Sequence, residues 1–105
     1  MTKWSKIKTW PQSPAVHVNG GTRYTAAKTG EWVEVGACAR VADSAHIGHH
    51  TCIGEHAHIA ADAIVGRYVY IAAGSSVGRY VYIGAVARVG AGSRLDDGVA
   101  PVPLP

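Results

Sequence analysis

A six-residue period runs through most of the chain and constrains its fold more than any other feature. From residue 35 onward, an aliphatic side chain occupies every sixth position: Val35, Val41, Ile47, Ile53, Ile59, Val65, Ile71, Val77, Ile83, Val89 and Leu95. Neither an α-helix, whose apolar face repeats every 3.6 residues, nor a half-buried strand, with a period of 2, produces this pattern. The period predicts short strands joined by tight turns, so that each hexad forms one side of a coil.

Two further columns of small side chains accompany the aliphatic one. The residue directly after each aliphatic position is glycine, alanine or, at the end, aspartate. A second compact side chain lies four residues after each aliphatic position. Positions separated by an even number of residues share a strand face, so both the aliphatic and the second compact side chain are predicted to point inward. Glycine after the aliphatic position relieves crowding where the backbone bends.

The three columns together resemble the hexapeptide-repeat family over residues 35–100. This resemblance implies an all-β fold, a single-stranded left-handed parallel β-helix shaped like a triangular prism, with three hexads and therefore about 18 residues per coil. It also implies a homotrimer of prisms packed side by side. Residues 18 apart are then expected to stack at the inter-strand spacing of a sheet, about 4.8 Å. The outward columns are Glu34, Cys52, Tyr70 and Arg88; Arg40, His58, Ser76 and Arg94; Cys38, His56, Gly74 and Gly92; His50, Tyr68 and Val86; and Ser44, Asp62 and Tyr80.

Residues 1–34 lack the repeat and are predicted to form an N-terminal cap that closes the open strand edge of the first coil. The Asn19-Gly20 pair between extended-looking segments predicts a β-hairpin. Three tryptophans in this region are expected to cover the coil: Trp4, Trp10 and Trp32. A partner-binding arm is the alternative interpretation. Residues 101–105 contain three prolines, which lack a backbone donor, and are predicted to form a C-terminal cap.

Length and composition limit which binding partners and which cellular compartment can be expected. A chain of 105 residues has room for one domain with a small core, so association is expected. The net charge is only +3 and the basic residues are dispersed, which disfavours nucleic-acid binding. The sequence has no apolar run long enough for a membrane span and no signal-peptide pattern, and its two cysteines, Cys38 and Cys52, are interpreted as free thiols. A cytoplasmic location is expected.

Five of the six histidines lie close together in the sequence and suggest two enzymatic alternatives: His46, His49, His50, His56 and His58. The γ-class carbonic anhydrases share the hexapeptide-repeat fold and bind zinc with histidines across the trimer interface. Ile47-Gly48-His49 matches the first part of their signature, but Gly54 stands where a second histidine is required. If a metal such as zinc is bound, His50 and His56 are the candidate ligands, although outward histidines are more often solvated or interfacial.

Acyltransferases form the second alternative. In members of the family with this activity, a histidine acts as general base while coenzyme A lies between neighbouring subunits. The candidate bases here are His46, His56 and His58, with acetyl-CoA as the cosubstrate. The unbroken repeat, however, lacks the loop that those enzymes commonly place over the site, and it offers little concave surface for an acceptor.

The near-identical segments 65–71 and 77–83 are the most distinctive local feature. They place Arg67, Tyr68 and Tyr70 on one part of the prism and Arg79, Tyr80 and Tyr82 on another. In a three-fold ring two such faces meet, and arginine and tyrosine are enriched in interface cores. The alternative is that tyrosine simply favours exposed strands. The sequence therefore predicts a non-catalytic homotrimer, a binding or scaffolding module with no cofactor and with any small-molecule ligand held between subunits.

Overall fold

The structure, a computed structural model, describes residues 2–16, 18 and 20–96, and these residues form a β-solenoid of about four turns. The N-terminal elements are β1 (Thr2–Lys3), α1 (Trp4–Ile7), β2 (Gln12–Pro14) and β3 (Thr22–Thr25). The coils contain β4 (Trp32–Val35), β5 (Arg40–Val41), β6 (His46–Ile47), β7 (Thr51–Ile53), β8 (His58–Ile59), β9 (Ile64–Val65), β10 (Tyr70–Ile71), β11 (Ser76–Val77), β12 (Tyr82–Ile83), β13 (Arg88–Val89) and β14 (Arg94–Leu95).

The coil strands stack into three sheets, one for each side of a prism. Side 1 contains β1, β6, β9 and β12; side 2 contains β2, β3, β4, β7, β10 and β13; and side 3 contains β5, β8, β11 and β14. Consecutive coil strands therefore lie in different sheets, and each pairs in parallel with the strand one coil away. The predicted parallel β-helix is confirmed.

The register of these pairs confirms the predicted stacking of residues 18 apart. On side 2, Glu34 pairs with Cys52, Cys52 with Tyr70, and Tyr70 with Arg88. The equivalent column on side 3 is Arg40, His58, Ser76 and Arg94. The position in the hexad therefore predicts on which side of the prism an outward side chain lies. It does not predict exposure to solvent, because Glu34 and Cys52 of the side 2 column are buried.

The interior is a thin column of aliphatic and small side chains. The aliphatic residues from Ile47 to Ile83 are at most 2% exposed, and Ala45, Ala57 and Ala63 fill the second inward column beside them. Two polar residues in that second column are also buried. The hydroxyl of Thr51 donates to the carbonyl of Gly66 at 2.9 Å, and that of Ser75 donates to the carbonyl of Gly90 at 2.9 Å. These bonds remove the cost of burying an unpaired hydroxyl.

The N-terminal segment covers two of the three sides. Strand β1 pairs antiparallel with β6 on side 1, and α1 places Trp4 and Ile7 in the hydrophobic core. Strands β2 and β3 form an antiparallel hairpin, and β3 also pairs with β4 on side 2. Strand β2 ends at Pro14 and β3 begins at Thr22, so Val16 and Val18 lie outside the hairpin strands. Asn19 of the predicted Asn19-Gly20 turn lies outside the described residues. On side 3, β5 pairs only with β8 among residues 2–16, 18 and 20–96.

The predicted proline-rich cap at 101–105 and the last four residues of the repeat, 97–100, lie outside the described residues. Within the described part of the chain, no helix has the length and apolar character needed to cross a membrane.

Glycines after the aliphatic positions are required where successive coils approach closely. A Cβ atom added at Gly48 would lie 2.4 Å from the backbone nitrogen of Arg67 in the next coil. A Cβ added at Gly84, in the same column of side 1, would have no neighbour closer than 4.0 Å among residues 2–16, 18 and 20–96. The described coils therefore require glycine at Gly48.

Replacing Gly48 with alanine is expected to lower the free energy of unfolding by about 1–3 kcal/mol, because the coils must separate to admit the methyl group. The matched substitution Gly84→Ala is expected to leave stability unchanged or raise it by up to about 1 kcal/mol, since it reduces the entropy of the unfolded chain and the added methyl group clashes with no residue in the described part of the chain. Urea unfolding followed by circular dichroism measures both. Equal destabilisation by the two substitutions would contradict the close approach.

Candidate functional site

The corners of the prism project side chains from an unusual backbone conformation. Residues at the third position after the aliphatic one adopt a positive φ of 56–64° at Cys38, His50, His56, Asp62, Tyr68, Tyr80 and Val86. The backbone N–H of several corner residues donates to a carbonyl of an adjacent coil, as from His56 to Ala37 at 3.0 Å and from Tyr68 to His49 at 3.0 Å. Non-glycine residues rarely adopt this left-handed conformation, so regular stacking of the coils maintains it.

The structure disperses the histidines that the sequence suggested as ligands or bases. His46 lies half-buried on side 1, between β1 and β9, and His58 is exposed on side 3. His50 occupies the corner between sides 1 and 2, whereas His56 occupies the corner between sides 2 and 3. A single chain therefore does not bring His50 and His56 together around one ion. Among residues 2–16, 18 and 20–96, no group of three or more His, Cys, Asp or Glu side chains is arranged to hold a metal ion.

An aromatic cluster surrounds His50 at the corner between sides 1 and 2. Its ring stacks on Tyr68 with a centroid distance of 5.0 Å and an interplanar angle of 17°, and it contacts Trp32 at 4.8 Å. The Nδ1 atoms of His49 and His50 lie 2.7 Å apart, which requires that one of them carry a proton and the other accept it. The two adjacent histidines are therefore held in a fixed mutual orientation.

His49 also faces a carboxylate of the N-terminal segment. Its Nε2 atom lies 3.8 Å from Oε2 of Glu31, and Oε1 of Glu31 accepts a hydrogen bond from the hydroxyl of Thr29 at 3.2 Å. The imidazole thus has one nitrogen toward His50 and the other toward Glu31. This histidine–carboxylate pair stands at the edge of a cavity on side 1.

The cavity has a volume of about 340 Å³ and lies between side 1 and the N-terminal segment. Trp10 and Tyr82 supply aromatic walls, and Arg67 lies at the corner end. The other lining residues are Thr2, Glu31, Ile47, Gly48, His49, Gly66 and Ala85. Its size lies at the lower end of the range for small-molecule sites, about 300–1,000 Å³.

The sequence does not predict that these residues share one cavity, although Arg67 and Tyr82 are predicted interface residues. His49 lies within the Ile47-Gly48-His49 match but is neither a predicted base nor a predicted ligand, and Glu31 and Trp10 lie in the predicted cap. The available signal was the hexad position of His49, two residues after an inward aliphatic, which places it beside the corner. The position of Glu31 depends on how the N-terminal segment folds back, and no repeat encodes that path.

The comparison with protein families agrees with this geometry. Residues 44–79 match the model of the bacterial transferase hexapeptide family (six repeats). The predicted hexapeptide repeat is therefore confirmed over this part of the chain. No curated protein and no solved structure matches it significantly.

The predicted interface residues are all exposed. Tyr68 and Tyr70 are 52% and 45% exposed, at the corner between sides 1 and 2 and on side 2 respectively. Tyr80 and Tyr82 are 68% and 51% exposed, at the corner between sides 3 and 1 and on side 1. The two duplicated segments therefore flank side 1 at opposite corners.

A buried ionic group joins the hairpin to the coils on side 2. The side chain of Glu34 is fully buried, and its Oε2 atom lies 3.4 Å from Nη2 of Arg23, whose guanidinium stacks over Trp32 at 4.5 Å. Cys52 is the next residue in the same column. Burial raises the pKa of the Cys52 thiol to about 11; the Glu34 carboxylate adds to this rise and Arg23 opposes it.

The two thiols of the protein are expected to react very differently. Cys38 is exposed, whereas Cys52 is buried and only about one in a thousand of its thiols is ionised at pH 8, given a pKa near 11. In a Cys38→Ala variant, the rate of iodoacetamide alkylation at Cys52 should be low at pH 8 and should rise about tenfold per pH unit until near pH 11. Mass spectrometry measures the rate.

The Cys52→Ala variant, which retains Cys38, provides the matched control and should be labelled rapidly at pH 8. Adding Glu34→Gln to the Cys38→Ala protein should increase the reactivity of Cys52, because the substitution removes the negative charge that raises its pKa. Equal labelling of the two thiols at pH 8 would contradict the buried placement of Cys52.

Proposed function

We propose that the protein is a non-catalytic binding or scaffolding module that acts as a homotrimer, with its ligand held close to the subunit interfaces. The two free thiols suit a reducing compartment, and the cytoplasm is the proposed location. The exposure of four tyrosines within two duplicated segments is the observation that best supports a trimer. Tyrosines of this kind are typical of interface cores.

The position of these segments on the prism suits a closed three-fold ring. One segment lies at each end of side 1, so the corner carrying Arg67 and Tyr68 in one subunit can meet the corner carrying Arg79 and Tyr80 in the next. Such a contact is heterologous, and a rotation of 120° closes it after three subunits. Because the two faces have the same residue types, each tyrosine finds an aromatic or cationic partner across the contact.

The double substitution Tyr70→Ser and Tyr82→Ser is expected to convert the trimer to monomers, since it removes one large apolar contact from each of the two faces. Light scattering coupled to size-exclusion chromatography measures the mass in solution. Val16→Ser, which changes a 71% exposed side chain outside the duplicated segments, is the matched control and should leave the mass unchanged. A monomeric wild-type protein, or an unaltered trimer in the double variant, would remove the proposed interface.

A minimal acyltransferase is the second candidate function. The matching family model describes bacterial transferases, and the pairing of His49 with Glu31 beside a cavity resembles a base held by a carboxylate. We rank this function lower because both ring nitrogens of His49 face protein groups, so the imidazole must reorient before it can accept a proton from a substrate.

Acetyl-CoA provides a direct test of this second function. If the protein is a binding module, calorimetric titration with acetyl-CoA is expected to give no heat of binding, and incubation with amine or hydroxyl acceptors is expected to release no free coenzyme A. Acyl transfer by the wild-type protein that is lost in His49→Gln, but retained in His56→Gln at an exposed corner, would instead establish the transferase.

A further inference from the structure

We infer that the cavity on side 1 binds a small aromatic carboxylate. This inference rests on the proposed binding function and deepens it by naming the ligand class. Arg67 and Tyr82 belong both to the lining of this cavity and to the proposed trimer contact, so ligand binding and solution mass are measured on the same samples.

The walls of the cavity favour a flat, apolar ligand body. Trp10 and Tyr82 contribute aromatic rings, while Ile47 and Ala85 add aliphatic surface. Aromatic rings pack on one another in stacked or edge-to-face arrangements, which adds about 0.5–1.5 kcal/mol to the burial of their area. A volume of about 340 Å³ suits a single substituted ring better than an extended cofactor.

The charges around the cavity select an anionic group on that ring. Arg67 is exposed, and its guanidinium has no hydrogen-bond or ion-pair partner within the described ranges 2–16, 18 and 20–96. Glu31, the carboxylate in the lining, already faces the hydroxyl of Thr29 and the imidazole of His49. Arg67 is therefore the charged side chain of the lining that remains available to a ligand.

Arginine favours a carboxylate for a geometric reason. Its planar guanidinium offers two parallel N–H donors that match the two carboxylate oxygens, and such charge-assisted bonds are stronger than neutral ones. A neutral ring would leave the guanidinium without this partner, and a cationic ring would be repelled by it. Anionic rings are therefore expected to bind more tightly than neutral rings, and cationic rings are expected to bind most weakly.

The inference is tested with benzoate, 4-hydroxybenzoate, benzyl alcohol and benzylamine as probes, using ligand-observed NMR titration of the full chain. Ligands of this size are expected to bind with a dissociation constant in about the millimolar range. The two carboxylates should bind at least about tenfold more tightly than benzyl alcohol, and benzylamine should bind most weakly.

The duplicated segments supply a matched pair of variants. Arg67→Ala should weaken benzoate binding about tenfold, whereas Arg79→Ala, at the same position of the second copy but outside the cavity, should not change it. Ala85→Leu should block binding by filling the cavity, while Ala73→Leu, at the same hexad position on another corner, should not. Circular dichroism verifies that each variant retains its fold.

Several outcomes would overturn the inference: no binding of the two carboxylates by the folded wild-type protein, benzylamine binding as tight as that of benzoate, or equal loss of binding in the Arg67→Ala and Arg79→Ala variants. Measurement of solution mass on the same samples separates this inference from the proposed function. If the protein is a monomer that binds benzoate through Arg67, the proposed trimer is wrong and the proposed site stands. If it is a trimer with no affinity for benzoate, the proposed site is wrong and the trimer stands.

Discussion

Stacking of one coil on the next is the constraint on which the rest of the structure depends. Each coil buries only a few aliphatic and small side chains, so no coil can form a core alone, and stability arises where neighbouring coils meet. Parallel pairing at a spacing of 18 residues then aligns the inward columns and fixes every outward side chain. The buried hydroxyls of Thr51 and Ser75 obey the same constraint, since each donates to a carbonyl of the next coil.

Regular stacking of the coils also determines where the corner side chains lie on the surface. A corner residue is held at positive φ by the coils beside it, and its side chain leaves the prism at the boundary between two sheets. His50 and Tyr68 therefore stack in one corner column, whereas His56, six residues along the chain from His50, lies at the next corner. Residues one hexad apart within a coil consequently lie at different corners, whereas residues 18 apart lie side by side.

The period predicted most of the fold because a strict repeat leaves few ways to bury its aliphatic column. The stacked columns containing Glu34 and His58 were predicted from spacing alone and are confirmed by the strand register. The candidate site was predicted less well. His49 acquires its partners from Glu31 and from the folded N-terminal segment, and sequence separation gave no indication that Glu31 and Trp10 line the same cavity as Arg67.

The sequence by itself determined the coil: its length, its interior, and which side chains face outward, because these follow from a period that each hexad repeats. Only the tertiary structure decided what lies over side 1 and side 2. The N-terminal segment has no repeat, and its path is set by burial of Trp4 and Ile7, by pairing of β1 with β6, and by the buried contact between Arg23 and Glu34. Strand β1 and the side chains of Trp4 and Ile7 find their partners on the folded coils, and no repeat in the sequence encodes these contacts.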